Sequence, residues 1–189
     1  MERTLLEELQ PLVEAKQLRK CREILESLNE VDVAEFLEEL SQEQTIMVFR
    51  VLSKELAANV FSYLESDTQK AIVDTLTDIK LIELTSGMFL DDTVDFLEEM
   101  PSSVVKRVLK NVTKEKRDLI NQFLKYPENS AGSIMTAEYV ELKEDMTVKD
   151  AFNTLRKTAF NKESVYTCFI TNKNRELLDR KSTRLNSSH

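Results

Sequence analysis

Apolar residues recur along this chain with a period of twelve. From residue 29 to residue 124 the sequence divides without a gap into eight blocks of twelve residues. The eighth and twelfth positions of every block are apolar, and the ninth is polar only at Thr85 and Asn121. These positions are i, i+1 and i+4, so they share one face of a helix. The eighth positions are Phe36, Val48, Val60, Ile72, Leu84, Phe96, Val108 and Ile120, and the twelfth are Leu40, Leu52, Leu64, Leu76, Met88, Met100, Val112 and Leu124.

Helix-capping residues open several blocks. They are Ser41, Ser53, Thr77 and Thr113, with Pro101 followed by Ser102 as a further helix start. Each block therefore predicts one short helix, about 12–15 Å long. Helices of this length are unstable alone and must stack on their neighbours. We predict a mainly helical superhelix, a solenoid of short helices, preceded by a helical N-terminal cap over residues 2–28.

A different pattern begins after Leu124. Residues 126–132 contain a proline and a glycine, which end the helical pattern, and residues 139–142 predict a strand. Thr147, with Asp150 three residues later, predicts the start of a helix. The apolar face of that helix is predicted to be Val148, Ala151, Phe152 and Leu155.

A second β-rich run covers residues 164–171, and a turn follows at 172–174. We predict a β–α–β beginning with no further strand or helix after it. Residues 180–189 are basic and polar, and we interpret them as a non-native tail of vector or adaptor origin. The predicted divisions are a helical domain at 1–125, a linker at 126–136, an incomplete α/β half module at 137–179 and the tail at 180–189.

Composition narrows the classes of function. The formal net charge is 26 − 34 = −8, which disfavours nucleic-acid binding and favours cations or a basic partner. With only 2 glycines and 3 prolines, an all-β fold is not expected. No apolar run approaches the roughly 18 residues that span a bilayer, so we expect a soluble, cytosolic polypeptide.

Candidate catalytic groups are few. His189 is the only histidine, and Cys21 and Cys168 lie too far apart in the sequence for a zinc or disulfide framework. We therefore expect two free, partly buried thiols. An enzyme would need an acid/base pair in a pocket, and the sequence offers only surface carboxylates. We do not expect enzymatic activity.

Three segments together resemble the cytosolic N-terminal part of the MgtE-type magnesium transporters. They are the block LDDTVDFLEEM at Leu90–Met100, the junction YPENSAGSIMTAEYV at Tyr126–Val140, and MTVKDAFNTLRK at Met146–Lys157. The resemblance extends over residues 1–178, and the junction is its most specific part.

The resemblance implies a role in regulation. It implies that the chain is a Mg²⁺-sensing domain of a magnesium transporter, with Mg²⁺ binding the acidic face and closing the pore when cytosolic Mg²⁺ is high. The α/β half module then corresponds to the start of a first CBS module. The implied partners are the CBS and transmembrane parts of the parent transporter, with a homodimer in the full-length protein and the chain on the cytoplasmic side of the membrane.

Five carboxylates make up the predicted metal site. Asp91 and Asp95 are i and i+4 on one helix face, and they match the family positions. The patch is widened by Asp92, Glu98 and Glu99. The competing interpretation is that Asp91 or Asp92 caps the helix while the glutamates are simply solvated. Where the family can carry a further acid, this chain has Asn59.

Several other residues receive less specific interpretations. Glu35, Glu38 and Glu39 repeat the slots of Asp95, Glu98 and Glu99, and we expect them to be plainly solvated. The resemblance implies adenine-nucleotide binding at Thr167 and Tyr166, but with the rest of that pocket lying outside this chain we do not expect the chain to bind nucleotide. A row of phenylalanines is predicted to be core: Phe36, Phe49, Phe61 and Phe96.

The alternative function is a protein–protein adaptor. Solenoids of short helices also occur in flagellar motor-switch proteins of the FliG type. On this hypothesis the acidic face docks a partner and shows no preference for divalent ions.

Overall fold

The computed structural model describes residues 3–183, with side chains from residue 7 onward. Over these residues the chain is mainly helical and ends in a small sheet, as predicted. The helices are α1 (Arg3–Glu14), α2 (Leu18–Leu25), α3 (Glu30–Glu38), α4 (Gln42–Phe49), α5 (Lys54–Ser62), α6 (Ser66–Asp74), α7 (Asp78–Gly87), α8 (Leu90–Glu99), α9 (Ser102–Asn111), α10 (Lys114–Phe123) and α11 (Val148–Thr158), and the strands are β1 (Val140–Lys143), β2 (Thr167–Thr171) and β3 (Leu177–Ser182).

Each twelve-residue block forms one helix, α3 to α10. The predicted caps are confirmed at Ser53, Thr77 and Thr113, whose hydroxyl oxygens each accept from the backbone N–H three residues later. Ser41 and Gln44 form a capping box at the start of α4. The starts of these four helices thus follow from side chains that satisfy their first backbone donors.

Helices pack on the second helix along the chain as well as on the next one. Contacts join α3 to α5, α5 to α7 and α7 to α9, and a parallel series joins α2 to α4 and α4 to α6. Two rows of helices with a shared apolar interior result, which is the arrangement expected of stacked helical repeats. The described chain forms two compact units: one up to Met88 together with Asp92–Glu128, the other Phe89–Asp91 together with the chain from Asn129.

The interior of the helical unit is aromatic at its centre. The ring of Phe61 lies 6.0 Å from that of Phe49 and 5.1 Å from that of Phe96, centroid to centroid. All three are buried, as is Phe36, so the predicted core row is confirmed. Since Phe96 belongs to α8, this cluster anchors that helix to the row of α5.

Buried polar side chains donate hydrogen bonds to carbonyl groups at the ends of preceding helices. The Thr45 hydroxyl donates to the carbonyl of Leu37 (2.9 Å), and the Gln69 amide donates to the carbonyl of Phe61 (2.8 Å). Both bonds reach eight residues back, onto carbonyls in the last turn of a helix, where the regular i to i+4 bonds end. Thr85, polar at an otherwise apolar position, donates to the carbonyl of Leu81 (3.0 Å). These bonds allow polar residues inside the core.

Two glutamates cap helices that begin 27 residues later. The Glu26 carboxylate accepts from the backbone N–H (2.8 Å) and hydroxyl (3.0 Å) of Ser53. The Glu38 carboxylate accepts from the backbone N–H of Glu65 (2.9 Å) and the hydroxyl of Thr68 (2.8 Å). The expectation of plain solvation was therefore wrong for Glu38, because stacking brings its side chain to the first turn of α6.

We expect Glu38→Ala to lower the free energy of unfolding by about 1–2 kcal/mol. The substitution leaves the N–H of Glu65 and the hydroxyl of Thr68 without their charged acceptor, which is the loss of a helix cap. Chemical denaturation with guanidinium measures the difference. Glu39→Ala, at the exposed neighbouring position, is the matched control and should change stability by less than about 0.5 kcal/mol. Equal effects of both substitutions would contradict the capping role.

The second unit contains a three-stranded sheet in the order β1-β2-β3. β1 and β2 are parallel, with Val140 opposite Cys168, and β3 is antiparallel to β2. The expectation that no strand follows the turn was wrong: β3 pairs with β2 after a turn in which Asn172 Oδ1 accepts from the N–H groups of Asn174 and Glu176. All six residues of β3 are exposed, and its sequence LLDRKS does not alternate apolar and polar residues. The pattern from which a half-buried strand is predicted is therefore missing.

Helix α11 covers one face of this sheet with only part of its predicted apolar side. Its N-terminal capping box between Thr147 and Asp150 is confirmed. Ala151 and Leu155 pack on a small core formed by Val140, Leu142 and Cys168. In contrast, Val148 is 73% and Phe152 49% exposed, so their assignment to the buried face was wrong. The short sheet covers only the part of α11 that contains Ala151 and Leu155, so the other two apolar residues stay exposed.

Three further expectations concern the described chain. Cys21 and Cys168 are both free and buried, and burial raises the pKa of each thiol. Over residues 3–183, no helix has the length and apolarity to cross a membrane. The predicted tail overlaps β3 at residues 180–182, and its residues 184–189, including His189, lie outside the described residues.

Candidate metal site on helix α8

Helix α8 carries all five predicted metal-binding carboxylates. It begins at Leu90, so Asp91 and Asp92 lie in its first turn and neither is the N-cap residue. Acidic residues in a first turn are stabilised by the positive end of the helix dipole. Both aspartates are partly buried and interact with other groups of the protein.

Asp95 lies one turn beyond Asp91 on the same face of α8. Its neighbours Val94, Phe96 and Leu97 are buried, whereas Asp95 itself is exposed. Packed protein around the carboxylate removes part of its hydration, and this raises the pKa of Asp95 above the ordinary value.

Glu98 and Glu99 complete the patch in the last turn of α8. Both are exposed, and no basic residue lies in that turn. Carboxylates three or four residues apart repel by about 0.2–0.5 kcal/mol per pair, and negative charge at a helix C-terminus is unfavourable as well. The buried apolar face thus holds the helix in place, while Asp95, Glu98 and Glu99 put negative charge on its exposed side.

The patch is open and does not form a closed metal cage. Over the described residues, no three His, Cys, Asp or Glu side chains converge closely enough to ligate one ion. Mg²⁺ retains several waters and is commonly held by one or two carboxylates. An open acidic face therefore suits Mg²⁺ better than it suits Zn²⁺ or Ca²⁺, which take more ligands from the protein. This face can supply one side of an ion-bridged contact.

Glu138 contacts the first residue of α8, and the sequence did not predict this contact. Its Oε1 accepts from the backbone N–H of Leu90 (3.0 Å), and both residues belong to the second compact unit. Its Oε2 is buried and accepts no hydrogen bond from the described residues. Glu138 lies inside the junction segment Tyr126–Val140, but only folding shows that it reaches residue 90.

Other candidate residues lie apart from α8 in the sequence and have different surroundings. Glu35, Glu38 and Glu39 line a shallow cavity of about 580 Å³ together with Glu65. Glu39 is exposed as expected, and Glu35 interacts with other groups. Asn59, at the position where an acid was considered, is an exposed residue of α5.

The implied nucleotide position falls on the second strand. Thr167 opens β2, and Tyr166 precedes it with 57% of its surface exposed. The Tyr166 carbonyl accepts from the backbone N–H of Thr183 (3.0 Å). Thr167 is thus a partly buried residue of the central strand, and Tyr166 is exposed beside it.

We expect Asp95→Asn to stabilise the protein slightly at pH 7. The folded-state pKa of Asp95 lies above the unfolded value, so its ionised form favours the unfolded chain. That cost is present at neutral pH and disappears as the pH falls below about 3.9. Because Asp95 is exposed, the gain should be only a few tenths of a kcal/mol. Thermal unfolding from pH 3 to 8 measures it, with Asp145→Asn in an exposed turn as the matched control. A destabilised Asp95→Asn protein at pH 7 would contradict the prediction.

The helical part of the chain matches a known protein family. The family model of the MgtE intracellular N domain matches residues 28–129, more than half of the chain. The chain therefore belongs to the MgtE intracellular N domain family, which is the family that the sequence resembles.

Named relatives agree with this assignment. The chain is 29% identical over 173 residues to the magnesium transporter MgtE of Thermus thermophilus, a match that covers 90% of this chain and 38% of that protein. It is 24% identical over 161 residues to the magnesium transporter MgtE of Bacillus subtilis, covering 85% of this chain and 36% of that protein. The chain thus spans less than two fifths of the length of these relatives.

Two solved structures share the fold. The crystal structure of the cytosolic domain of the Mg²⁺ channel MgtE in complex with ATP superposes with a TM-score of 0.83 at 29% identity, covering 93% of this chain and 72% of that one. The crystal structure of the soluble part of a magnesium transporter gives a TM-score of 0.82 at 23% identity, covering 94% and 70%. The chain has the fold of the cytosolic part of an MgtE protein, including the α/β portion at its end.

Proposed function

We propose that this chain is a regulatory Mg²⁺-sensing domain of a magnesium transporter. The observation that carries the proposal is the polar face of α8, where Asp91, Asp95 and Glu99 follow one another at four-residue spacing in a member of the MgtE intracellular N domain family. Asp92 and Glu98 widen the same patch, and α8 contains no lysine or arginine. Mg²⁺ is the ligand of the site, and the two relatives named above are magnesium transporters.

The sensing step follows from electrostatics. At low Mg²⁺ the carboxylates of α8 repel one another and any other acidic surface brought against them. A hydrated divalent ion removes that repulsion and bridges two acidic surfaces, so it favours a closed arrangement of the parent protein by its differential affinity for that state. The partners on this proposal are the CBS and transmembrane parts of the transporter, on the cytoplasmic side of the membrane, in a homodimer.

Thermal unfolding in MgCl₂ tests whether the site lies on this chain. NaCl of matched ionic strength is the salt control. A ligand at ten times its Kd stabilises the folded state by about 1.4 kcal/mol, so a Mg²⁺-specific rise of the unfolding midpoint is expected. Asp91→Ala/Asp95→Ala should lose this rise. Glu35→Ala/Glu39→Ala removes the same charge at the same spacing, from α3 and its C-cap residue, and should keep the rise.

Two results would contradict the proposal. Equal stabilisation by both salts would mean general screening, and would favour the adaptor function in which the acidic face binds a basic partner protein. Retention of Mg²⁺ gating by a full-length transporter that carries Asp91→Ala/Asp95→Ala would remove these two residues from the sensor.

A further inference from the structure

A cavity of about 370 Å³ lies within the helical unit, between the end of α4, the start of α5 and the start of α7. Its floor is formed by the buried side chains of Phe49, Leu52 and Leu84, with Leu76 and Ala57 beside them. This volume is in the range of small-molecule sites, which are mostly apolar and carry a few polar groups that orient the ligand. None of the five carboxylates of α8 lines this cavity.

The rim of the cavity is positively charged. Arg50, Lys54 and Lys80 line it with a single carboxylate, Glu83, which gives a local formal charge of 3 − 1 = +2 in a chain whose net charge is −8. A cationic rim around an apolar floor is complementary to an anion that carries an apolar body.

The lysines already hold a carboxylate. Nζ of Lys54 donates to Oε1 of Glu83 (2.9 Å), and Nζ of Lys80 donates to Oε2 (2.8 Å). These two bonds hold the pKa of Glu83 at about 2, well below its ordinary range. The arrangement therefore has the geometry that binds both oxygens of one carboxylate, with Glu83 as an internal occupant.

Arg50 adds a third donor group at the rim. Its Nη2 donates to the carbonyl of Thr75 (3.3 Å), which fixes the guanidinium over the loop between α6 and α7. A guanidinium has five N–H donors in a planar fork, so the exposed remainder can bind a carboxylate in bidentate fashion.

We propose that this cavity binds a small amphipathic carboxylate. The apolar body lies on Leu52 and Leu84, and the carboxylate is held by Arg50 and Lys54. Glu83 competes with the ligand for Lys54, so the site is in part occupied by the protein's own side chain. This inference is independent of the proposed Mg²⁺ site, since it uses none of its residues.

Methyl NMR of the full chain with octanoate as the probe tests this inference. Octanoate should shift the methyl resonances of Leu52, Leu76 and Leu84 in a saturable manner. Octanamide has the same apolar body without the charge, and acetate has the charge without the body. Both should bind at least about threefold more weakly, because each lacks one half of the recognition.

Substitutions separate the two halves of the rim. Arg50→Ala should weaken octanoate binding about fivefold, and Arg50→Lys should weaken it less because the charge remains. Glu83→Gln should tighten binding about two- to threefold, since it removes the competing charge. Lys106→Ala, at an exposed position of α9, is the matched control and should leave the Kd unchanged. Thermal unfolding of each variant without ligand verifies that it is folded.

The opposite results would overturn the inference. They are equal affinity for octanamide and octanoate, shifts that do not saturate or that spread beyond the cavity methyls, or unchanged affinity in a folded Arg50→Ala protein. Weaker binding by a folded Glu83→Gln protein would likewise contradict it, because it would make Glu83 a structural support for the lysines and not a competitor.

Discussion

Replacing Phe61 with alanine is expected to lower the free energy of unfolding by about 3–5 kcal/mol. The Phe61 side chain is fully buried, and its ring contacts those of Phe49 and Phe96 at centroid distances of 6.0 and 5.1 Å. The substitution removes the transfer free energy of the ring and leaves a cavity between α4, α5 and α8, which helices joined by short loops cannot collapse to fill.

The consequence of Phe61→Ala extends to the proposed metal site. Phe96 directly follows Asp95 on α8 and is buried, so the aromatic cluster positions the helix that carries the carboxylates. Urea denaturation measures the stability loss, and Tyr63→Ala is the matched control because Tyr63 is an aromatic residue with 55% of its surface exposed. Similar losses for both substitutions would contradict the assignment of Phe61 to the centre of the core.

Adding one methyl group at Gly87 is expected to destabilise the protein by about 1–3 kcal/mol. A Cβ at this position would lie 2.8 Å from Cβ of Ala58, closer than nonbonded carbon atoms approach. Gly87 is the last residue of α7 and Ala58 lies in α5, and these two helices pack directly on each other. The added methyl group would therefore push the two helices apart. The better helix propensity of alanine, about 1 kcal/mol, offsets only part of the clash.

A compensating substitution distinguishes this clash from a general effect of losing glycine. In Gly87→Ala/Ala58→Gly the two methyl groups no longer meet, so the pair should show a favourable coupling of about 1 kcal/mol or more relative to the sum of the single changes. Ser86→Ala, at the exposed neighbouring position, should be close to neutral. Additive single effects in the double variant would show that the two positions do not contact each other.

The regular part of the fold could be predicted because its causes are local. Apolar residues at the eighth and twelfth positions and capping residues such as Ser53 and Thr113 act within a few residues, so eight blocks gave eight helices. The junction Tyr126–Val140 was specific enough to suggest the family that the comparison with the N domain model establishes. The five carboxylates of α8 were placed on one helix, and their role as a metal site remains a proposal.

Most of the interactions that the sequence did not predict involve partners that are distant in the sequence. Glu38 looked like a solvated repeat of Glu98, yet stacking delivers it to the N-terminus of α6, while Glu138 reaches the N–H of Leu90 from 48 residues away. Strand β3 has no apolar alternation, and it forms because the turn at Asn172 returns the chain to an open edge of β2. Val148 and Phe152 fit the helical period of apolar residues, but the three-stranded sheet is too small to cover them.

The amino-acid sequence by itself determined the length, ends and apolar face of each repeat helix from α3 to α10 and the concentration of negative charge on α8. Those properties follow from backbone hydrogen bonding, side-chain capping and periodicity, which act over one or two turns. Tertiary structure alone decided which polar groups distant in the sequence meet: the carboxylates that cap helices 27 residues ahead, and Lys54, which reaches Glu83 from another helix. It also decided how much hydration Asp95 loses. The physical reason is that hydrogen bonds and charge interactions depend on distances of a few ångströms, and for residues far apart in the chain only the packing of the helices sets those distances.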